Sequence, residues 1–140
     1  MENHRIKELT NIAKAYTSNK DIDFISKAVD FSIKAHNNQK RESGEPYINH
    51  PIEVSKILAG IKLDTASIVS GLLHDIIEDT TISLEEIKKL FGNEVADLVD
   101  GLTKINKYSL KVNNLKLGEN YKKLLLATTK DLRVILIKLA

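Results

Sequence analysis

The chain has 140 residues, of which 42% are hydrophobic and 29% charged, and its formal net charge is +2. These are the values of one globular domain over residues 1–140, and so small a charge argues against nucleic acid as a partner. The absence of cysteine excludes disulfides and thiolate metal sites. Because no apolar run approaches the roughly 20 residues that cross a bilayer, the sequence predicts a cytoplasmic protein with no membrane segment.

The apolar spacing first predicts a helix from Asp21 to Asn37, with Asp21 as its N-cap. A turn-forming stretch follows and delivers His50 just before Pro51, a residue suited to the first turn of a helix. The next predicted helix begins at Pro51 and ends at Gly60. Spacing alone leaves open whether His50 is a metal ligand or only the neighbour of a helix start.

The third predicted helix is capped by Asp64 or Thr65 and is apolar as far as the pair His74 and Asp75. On a helix these two side chains project about 100° apart, so both can reach one ion beside it. Burying unpaired charge is costly, and a divalent cation offsets that cost because it attracts carboxylate and neutral imidazole together. An isolated His-Asp pair is equally compatible with a hydrogen-bonded histidine that binds no metal.

Two further carboxylates follow one turn later in the same predicted helix. Glu78 lies four residues after His74, and Asp79 lies four residues after Asp75, so all four belong to one face over two turns. The alternatives are that Glu78 is a solvated acid and that Asp79 only ends the helix.

Three more helices are predicted in the rest of the chain, and since no strand pattern appears, the fold class is all-α. Ser83 has the capping-box arrangement and predicts a short helix to about Leu90. Another helix runs from Asn93 and ends at Gly101, and residues 106–118 indicate a mobile connection. The last begins at about Glu119 and is apolar on more than one side, as expected of a central helix.

Several blocks of this sequence, in their order and spacing, closely resemble the hydrolase domain of the RelA/SpoT family. They are residues 40–51, 71–80, 91–104, 119–121 and 131–140. That family makes and destroys the alarmone guanosine tetra- or pentaphosphate, (p)ppGpp. The resemblance implies a helical bundle of the HD type that hydrolyses (p)ppGpp to GDP or GTP and pyrophosphate.

The resemblance also implies a role for each matching residue. His50, His74 and Asp75 correspond to metal ligands, with Mn²⁺ as the ion, and Glu78 and Asp79 correspond to the catalytic pair. For substrate binding, it assigns Arg41 to stacking on guanine and Ser43 to the same loop. The family commonly carries lysine where this chain has Glu42, and a carboxylate beside a polyphosphate weakens binding. His36, His4, Asp131, Arg133 and Lys138 receive no role in the site.

The family pattern normally continues beyond Ala140 with Asp-Arg-Leu-His-Asn, whose aspartate is a fourth metal ligand. We therefore expect a bundle incomplete at its C-terminus, with impaired activity and with association through the last helix, either with itself or with a complementing chain. Two alternatives stay open: a degenerate nucleotide-binding or regulatory module, and another HD-superfamily nucleotide phosphohydrolase.

Overall fold

The computed structural model describes residues 2–36, 48–111 and 133–140, and within each of these ranges most residues are helical. In chain order these are α1 Glu2–Lys14, α2 Asn19–Ala35, α3 Asn49–Gly60, α4 Thr65–Leu73, α5 Ile76–Asp79, α6 Leu84–Phe91, α7 Asn93–Lys111 and α8 Arg133–Leu139. No strand occurs in these three ranges, and the predicted all-α class is confirmed. None of the described helices is long and apolar enough to cross a membrane.

The central helix of the bundle is α4. All of its residues from Ser67 to Leu73 are buried, and it packs against α2, α3, α7 and α8. The prediction that the last helix is central is wrong for its described part. In α8, Val134 and Ile137 are buried, but Leu136 is 41% exposed, so the described apolar residues of this helix are not all enclosed by neighbours.

Helices α3 and α4 approach each other closely at Gly71. A Cβ atom on Gly71 would lie 2.8 Å from Leu58 Cδ1 and 3.0 Å from Ser55 Oγ, closer than side chains tolerate. Glycine is therefore required at this position for packing, since both facing residues belong to α3 and are fully buried.

Buried serines hold α4 from two sides. Ser32 of α2 donates a hydrogen bond from Oγ to the carbonyl oxygen of Leu72 at 3.1 Å. Ser55 of α3 donates to the carbonyl oxygen of Ile68 at 2.9 Å. Both hydroxyls are fully buried, so these bonds satisfy polar groups that water cannot reach.

Helix α2 begins two residues before its predicted start because Ser18, not Asp21, is the N-cap. Ser18 Oγ accepts from the backbone N–H of Asp21 at 3.2 Å, and the Asp21 carboxylate accepts from the backbone N–H of Ser18 at 3.2 Å. Asp21 is thus the third residue of a capping box. The helix ends at Ala35 rather than Asn37. Helix α3 similarly begins at Asn49, and its predicted end at Gly60 is confirmed.

Helix α6 agrees with its prediction, and α7 does not. Ser83 Oγ caps α6 by accepting from the backbone N–H of Glu86 at 3.2 Å. Helix α7, however, continues through Gly101 to Lys111, which contradicts both the predicted stop and the start of the predicted connection. A Cβ atom on Gly101 would lie 3.0 Å from Val134 Cγ2. The glycine therefore lets α8 pack closely against α7 and does not end α7.

Helix α1 has no counterpart among the predicted helices, although Ile6, Leu9 and Ala13 show a helical spacing. Leu9 and Ala13 are fully buried, and the helix packs against α3 and α2. Ion pairs link α1 to α3, joining Arg5 to Glu53 and Lys56 to Glu8.

Candidate metal centre

The helix predicted to continue through position 79 is interrupted at His74 and Asp75. These residues form a turn between α4, which ends at Leu73, and α5, which begins at Ile76. Both keep right-handed backbone angles, with φ −61° and ψ −29° at His74 and φ −93° and ψ −7° at Asp75. The two side chains are therefore placed just after the C-terminal end of α4, where the regular hydrogen bonding of that helix stops.

The backbone of α4 fixes the orientation of the His74 ring. Its Nδ1 lies 2.6 Å from the carbonyl oxygen of Gly71. A carbonyl can only accept, so Nδ1 carries the hydrogen and Nε2 of the neutral ring keeps a lone pair. That Nε2 lies 3.2 Å from Oδ2 of Asp75. Two acceptors facing each other at this distance need a cation or a proton between them, and a divalent metal fits that requirement.

The pair also shifts its own ionisation. Burial disfavours the charged form of His74, but the hydrogen bond and the negative charge of Asp75 outweigh it, and the pKa of His74 is raised. Burial likewise opposes ionisation of Asp75, and the bond with His74 together with the charges of His74, His50 and His36 outweighs it. The pKa of Asp75 is therefore lowered. In the metal-free chain the two groups favour an ion pair.

His50 completes a group of three donors. It lies in the first turn of α3, and its ring centroid is 5.6 Å from that of His74, with 64° between the ring planes. The ligand atoms of His50, His74 and Asp75 all lie within 4.8 Å of one another. Two ligands of one ion with bonds of about 2.2 Å lie at most about 4.4 Å apart. The structure thus brings the three predicted ligands together at nearly the spacing of a formed site.

A cavity of about 230 Å³ adjoins these donors. It is lined by His50, Val54, His74, Asp75, Leu102, Ile137, Lys138 and Ala140. Helices α3, α7 and α8 supply the apolar part of its wall. The donors accordingly lie beside an open space that can admit a ligand, instead of being packed within the core.

The two predicted catalytic residues do not line this cavity. Glu78 and Asp79 are on α5 and exposed, and neither lines the cavity. Asp79 is also the last residue of α5, as its alternative interpretation proposed. Arg41 and Ser43 lie outside the residues that the structure describes.

Sequence reasoning missed two contributors to this site. Gly71 orients His74 through its carbonyl group, and only its place three residues before a candidate ligand could have indicated that. Lys138 lines the cavity, yet its spacing fits a charged helix flank equally well.

The comparisons with known proteins agree with one another on the family that the chain is similar to. A family model described as an HD domain matches residues 28–140. The chain is 52% identical over 128 residues to a GTP pyrophosphokinase of Myxococcus xanthus, covering 89% of this chain and 17% of that protein. It is 41% identical over 132 residues to a guanosine-3′,5′-bis(diphosphate) 3′-pyrophosphohydrolase of Vibrio cholerae serotype O1, covering 94% of this chain and 19% of that protein. The chain thus spans less than one fifth of the length of either curated relative.

Among solved structures, the chain is similar to a metazoan ortholog of SpoT that hydrolyses ppGpp and plays a role in starvation responses. The TM-score is 0.65 at 31% sequence identity, and the match covers 89% of this chain and 66% of that one.

Proposed function

Because the chain belongs to the HD domain family, and within it to the RelA/SpoT hydrolase domains, we propose that it hydrolyses guanosine 3′,5′-bis(diphosphate) or its pentaphosphate analogue. The products are GDP or GTP and pyrophosphate. The observation that carries the proposal is the convergence of His50, His74 and Asp75 beside a cavity. The activities named for the Vibrio cholerae relative and the metazoan ortholog support this choice of substrate.

The donor set fits a divalent transition metal, and we propose Mn²⁺. Two imidazoles and one carboxylate form the mixed nitrogen and oxygen environment that such ions accept. When bound, the ion would act as a Lewis acid toward the pyrophosphate group and lower the pKa of a water molecule. His50 Nε2 or Nδ1, His74 Nε2 and a carboxylate oxygen of Asp75 would hold it.

The remaining roles belong to side chains of this chain. Glu78 and Asp79, one turn after the ligands, would orient the attacking water and take up its proton. Arg41 would stack on the guanine ring, for which a planar cation is suited, and Ser43 would bind in the same loop. The Gly71 carbonyl accepts a hydrogen bond from Nδ1 of His74 and so directs Nε2, the nitrogen that would hold the ion, toward the site.

The test of the proposal is pyrophosphate release from ppGpp with added Mn²⁺. We expect turnover that a chelator abolishes and fresh Mn²⁺ restores, with Mg²⁺ and Zn²⁺ assayed in parallel to identify the preferred ion. His74→Ala should remove turnover, while His4→Ala should not, since His4 is exposed on α1 and pairs with Glu8. Release of phosphate from simpler nucleotides but not from ppGpp would favour another HD-superfamily phosphohydrolase.

A second candidate is a module that binds the nucleotide without hydrolysing it. The observation in its favour is that Glu78 and Asp79 are exposed and do not line the cavity. Binding of ppGpp and turnover should therefore be measured separately in Glu78→Gln and Asp79→Asn. In a hydrolase these variants lose turnover and keep binding, whereas a chain that binds ppGpp but shows no turnover even before substitution is the module.

The predicted cytoplasmic location accords with a nucleotide substrate and stays a prediction, which cell fractionation can check. The predicted association of the chain with itself or with another chain also stays a prediction, which light scattering can check.

A further inference from the structure

The cavity beside the metal ligands has a cation on its wall. Besides the two histidines, the charged side chains that line it, among the residues the structure describes, are Asp75 and Lys138. Lys138 belongs to the last turn of α8, so it faces the cavity from a different helix than the three donors do. Its positive charge lies close enough to His74 to oppose protonation of that ring. The lysine and the donors thus share one small space.

Charge balance indicates what this space can hold. Among the three described donors only Asp75 is an anion, and a terminal pyrophosphate group carries more than one negative charge at neutral pH, so a cation on the cavity wall favours its binding. Lys138 supplies such a cation. Ammonium groups are established point-charge ligands of phosphate.

The size of the cavity agrees with the same ligand. Its volume of about 230 Å³ is below the range of about 300–1,000 Å³ typical of sites that enclose a whole drug-sized molecule. It is sufficient for an ion and a phosphate chain. Among the described residues, Val54, Leu102 and Ile137 form an apolar wall that offers such a chain no hydrogen bonds, whereas Lys138 offers a charged donor.

We infer that Lys138 binds the 3′-pyrophosphate group of the substrate from the wall of the cavity that it shares with the proposed metal ligands. This inference rests on the proposed function, and it assigns Lys138 to contact with the 3′-pyrophosphate group, which water attacks as the bond to the 3′-oxygen of guanosine breaks, instead of with guanosine. The lysine is exposed, so its flexible chain can bring the ammonium group to the phosphate without disturbing the core.

The test uses inorganic pyrophosphate as the probe and the 140-residue chain loaded with one equivalent of Mn²⁺. Calorimetry should give the affinity for pyrophosphate, and a separate titration of the metal-free chain should give the affinity for Mn²⁺. In Lys138→Met we expect pyrophosphate to bind about 10- to 100-fold more weakly, because a charge-assisted bond is lost. Mn²⁺ should bind at least as tightly as before, since a repelling charge has been removed.

Two further variants sharpen the experiment. Lys138→Arg keeps the charge and should retain most of the affinity for pyrophosphate. Lys89→Met removes an equivalent charge from the exposed face of α6 and should leave both affinities unchanged.

Unchanged pyrophosphate binding in Lys138→Met would overturn the inference. A parallel loss of Mn²⁺ affinity would also overturn it, because it would show that the lysine only supports the fold of the metal site. The two proposals fail separately. If the chain binds pyrophosphate through Lys138 but does not release it from ppGpp, only the proposed hydrolase activity is refuted. If the chain hydrolyses ppGpp but Lys138→Met does not change pyrophosphate binding, only the proposed role of Lys138 is refuted.

Discussion

At the scale of single residues, the site depends on where the proton of His74 lies. The Gly71 carbonyl oxygen accepts the hydrogen of Nδ1, so the neutral ring presents the lone pair of Nε2 to the Asp75 carboxylate at 3.2 Å. Without a metal, a second proton on the ring relieves that repulsion, and for this reason the pKa of His74 is raised. With a metal, the ion takes the place of that proton.

Replacing His74 by alanine should therefore abolish Mn²⁺ binding. Loss of a group that only supports a ligand costs about 10- to 100-fold in affinity, and loss of a ligand should cost more. Equilibrium dialysis with Mn²⁺ gives the measurement, and His4→Ala, which removes an exposed histidine, is the matched control. If both variants bind Mn²⁺ like the original chain, the metal centre lies elsewhere.

The stabilisation that Mn²⁺ gives should increase with pH. A histidine pKa raised above its usual value of about 6.5 means that the interaction of His74 with Asp75 stabilises the metal-free fold at low pH and is lost as the pH rises through the raised pKa. The metal needs the unprotonated ring, so its affinity changes in the opposite direction. The shift in Tm on adding Mn²⁺ should grow between about pH 5.5 and pH 8. A shift that is constant over this range would contradict competition between proton and metal.

At the scale of helices, the distance between α3 and α4 sets the distance between His50 and His74. Gly71 fixes that distance because any side chain there meets α3. The same residue supplies the carbonyl that orients His74. Packing and ligand geometry are thus coupled at one position.

Gly71→Ala should consequently destabilise the fold and weaken the site together. The added Cβ would meet Leu58 Cδ1 at 2.8 Å, and because Leu58 is fully buried, its side chain can move only by disturbing the core around it. Overpacking of this kind costs about 1–3 kcal/mol. Urea unfolding and Mn²⁺ titration measure the two effects.

The control for that substitution is Gly60→Ala. No atom lies within 4 Å of the new Cβ there, so helix propensity should dominate and stabilise the chain by up to about 1 kcal/mol. Equal effects of the two substitutions would show that the contact with Leu58 is unimportant.

The helices also show how far sequence reasoning reaches. The cap at Ser83 and the end of α3 at Gly60 depend on local chemistry, and both were predictable. Gly101 looked like a helix stop, but its reason is the contact with Val134, which is distant in sequence. In the same way, the approach of His50 to His74 followed from family resemblance and not from spacing, because only tertiary packing joins α3 to α4.

At the scale of the whole molecule, α1 is an integral part of the bundle although the HD family match begins only at residue 28. Leu9 of α1 is fully buried in the same core cluster as α3 and α4. Leu9→Ala should therefore cost about 2–5 kcal/mol in the free energy of unfolding. Thermal or urea unfolding provides the measurement.

Leu90→Ala is the matched control, since its side chain is 40% exposed on α6 and should cost well under that amount. If Leu9→Ala proves as mild as Leu90→Ala, then α1 is an accessory helix that the remaining core does not need.

Arg133 at the start of α8 contacts Asp64 at 2.5 Å and Glu94 at 2.7 Å, and so joins the N-terminal ends of three helices by charge. These partners are solvent-accessible, and salt weakens ion pairs between exposed groups. The ion pairs between α1 and α3 are similarly accessible. Added salt should thus weaken the charged contacts of α1 and α8 while the apolar contact of α3 with α4 persists. Ionic strength therefore acts on these surface contacts without separating the metal ligands His50 and His74.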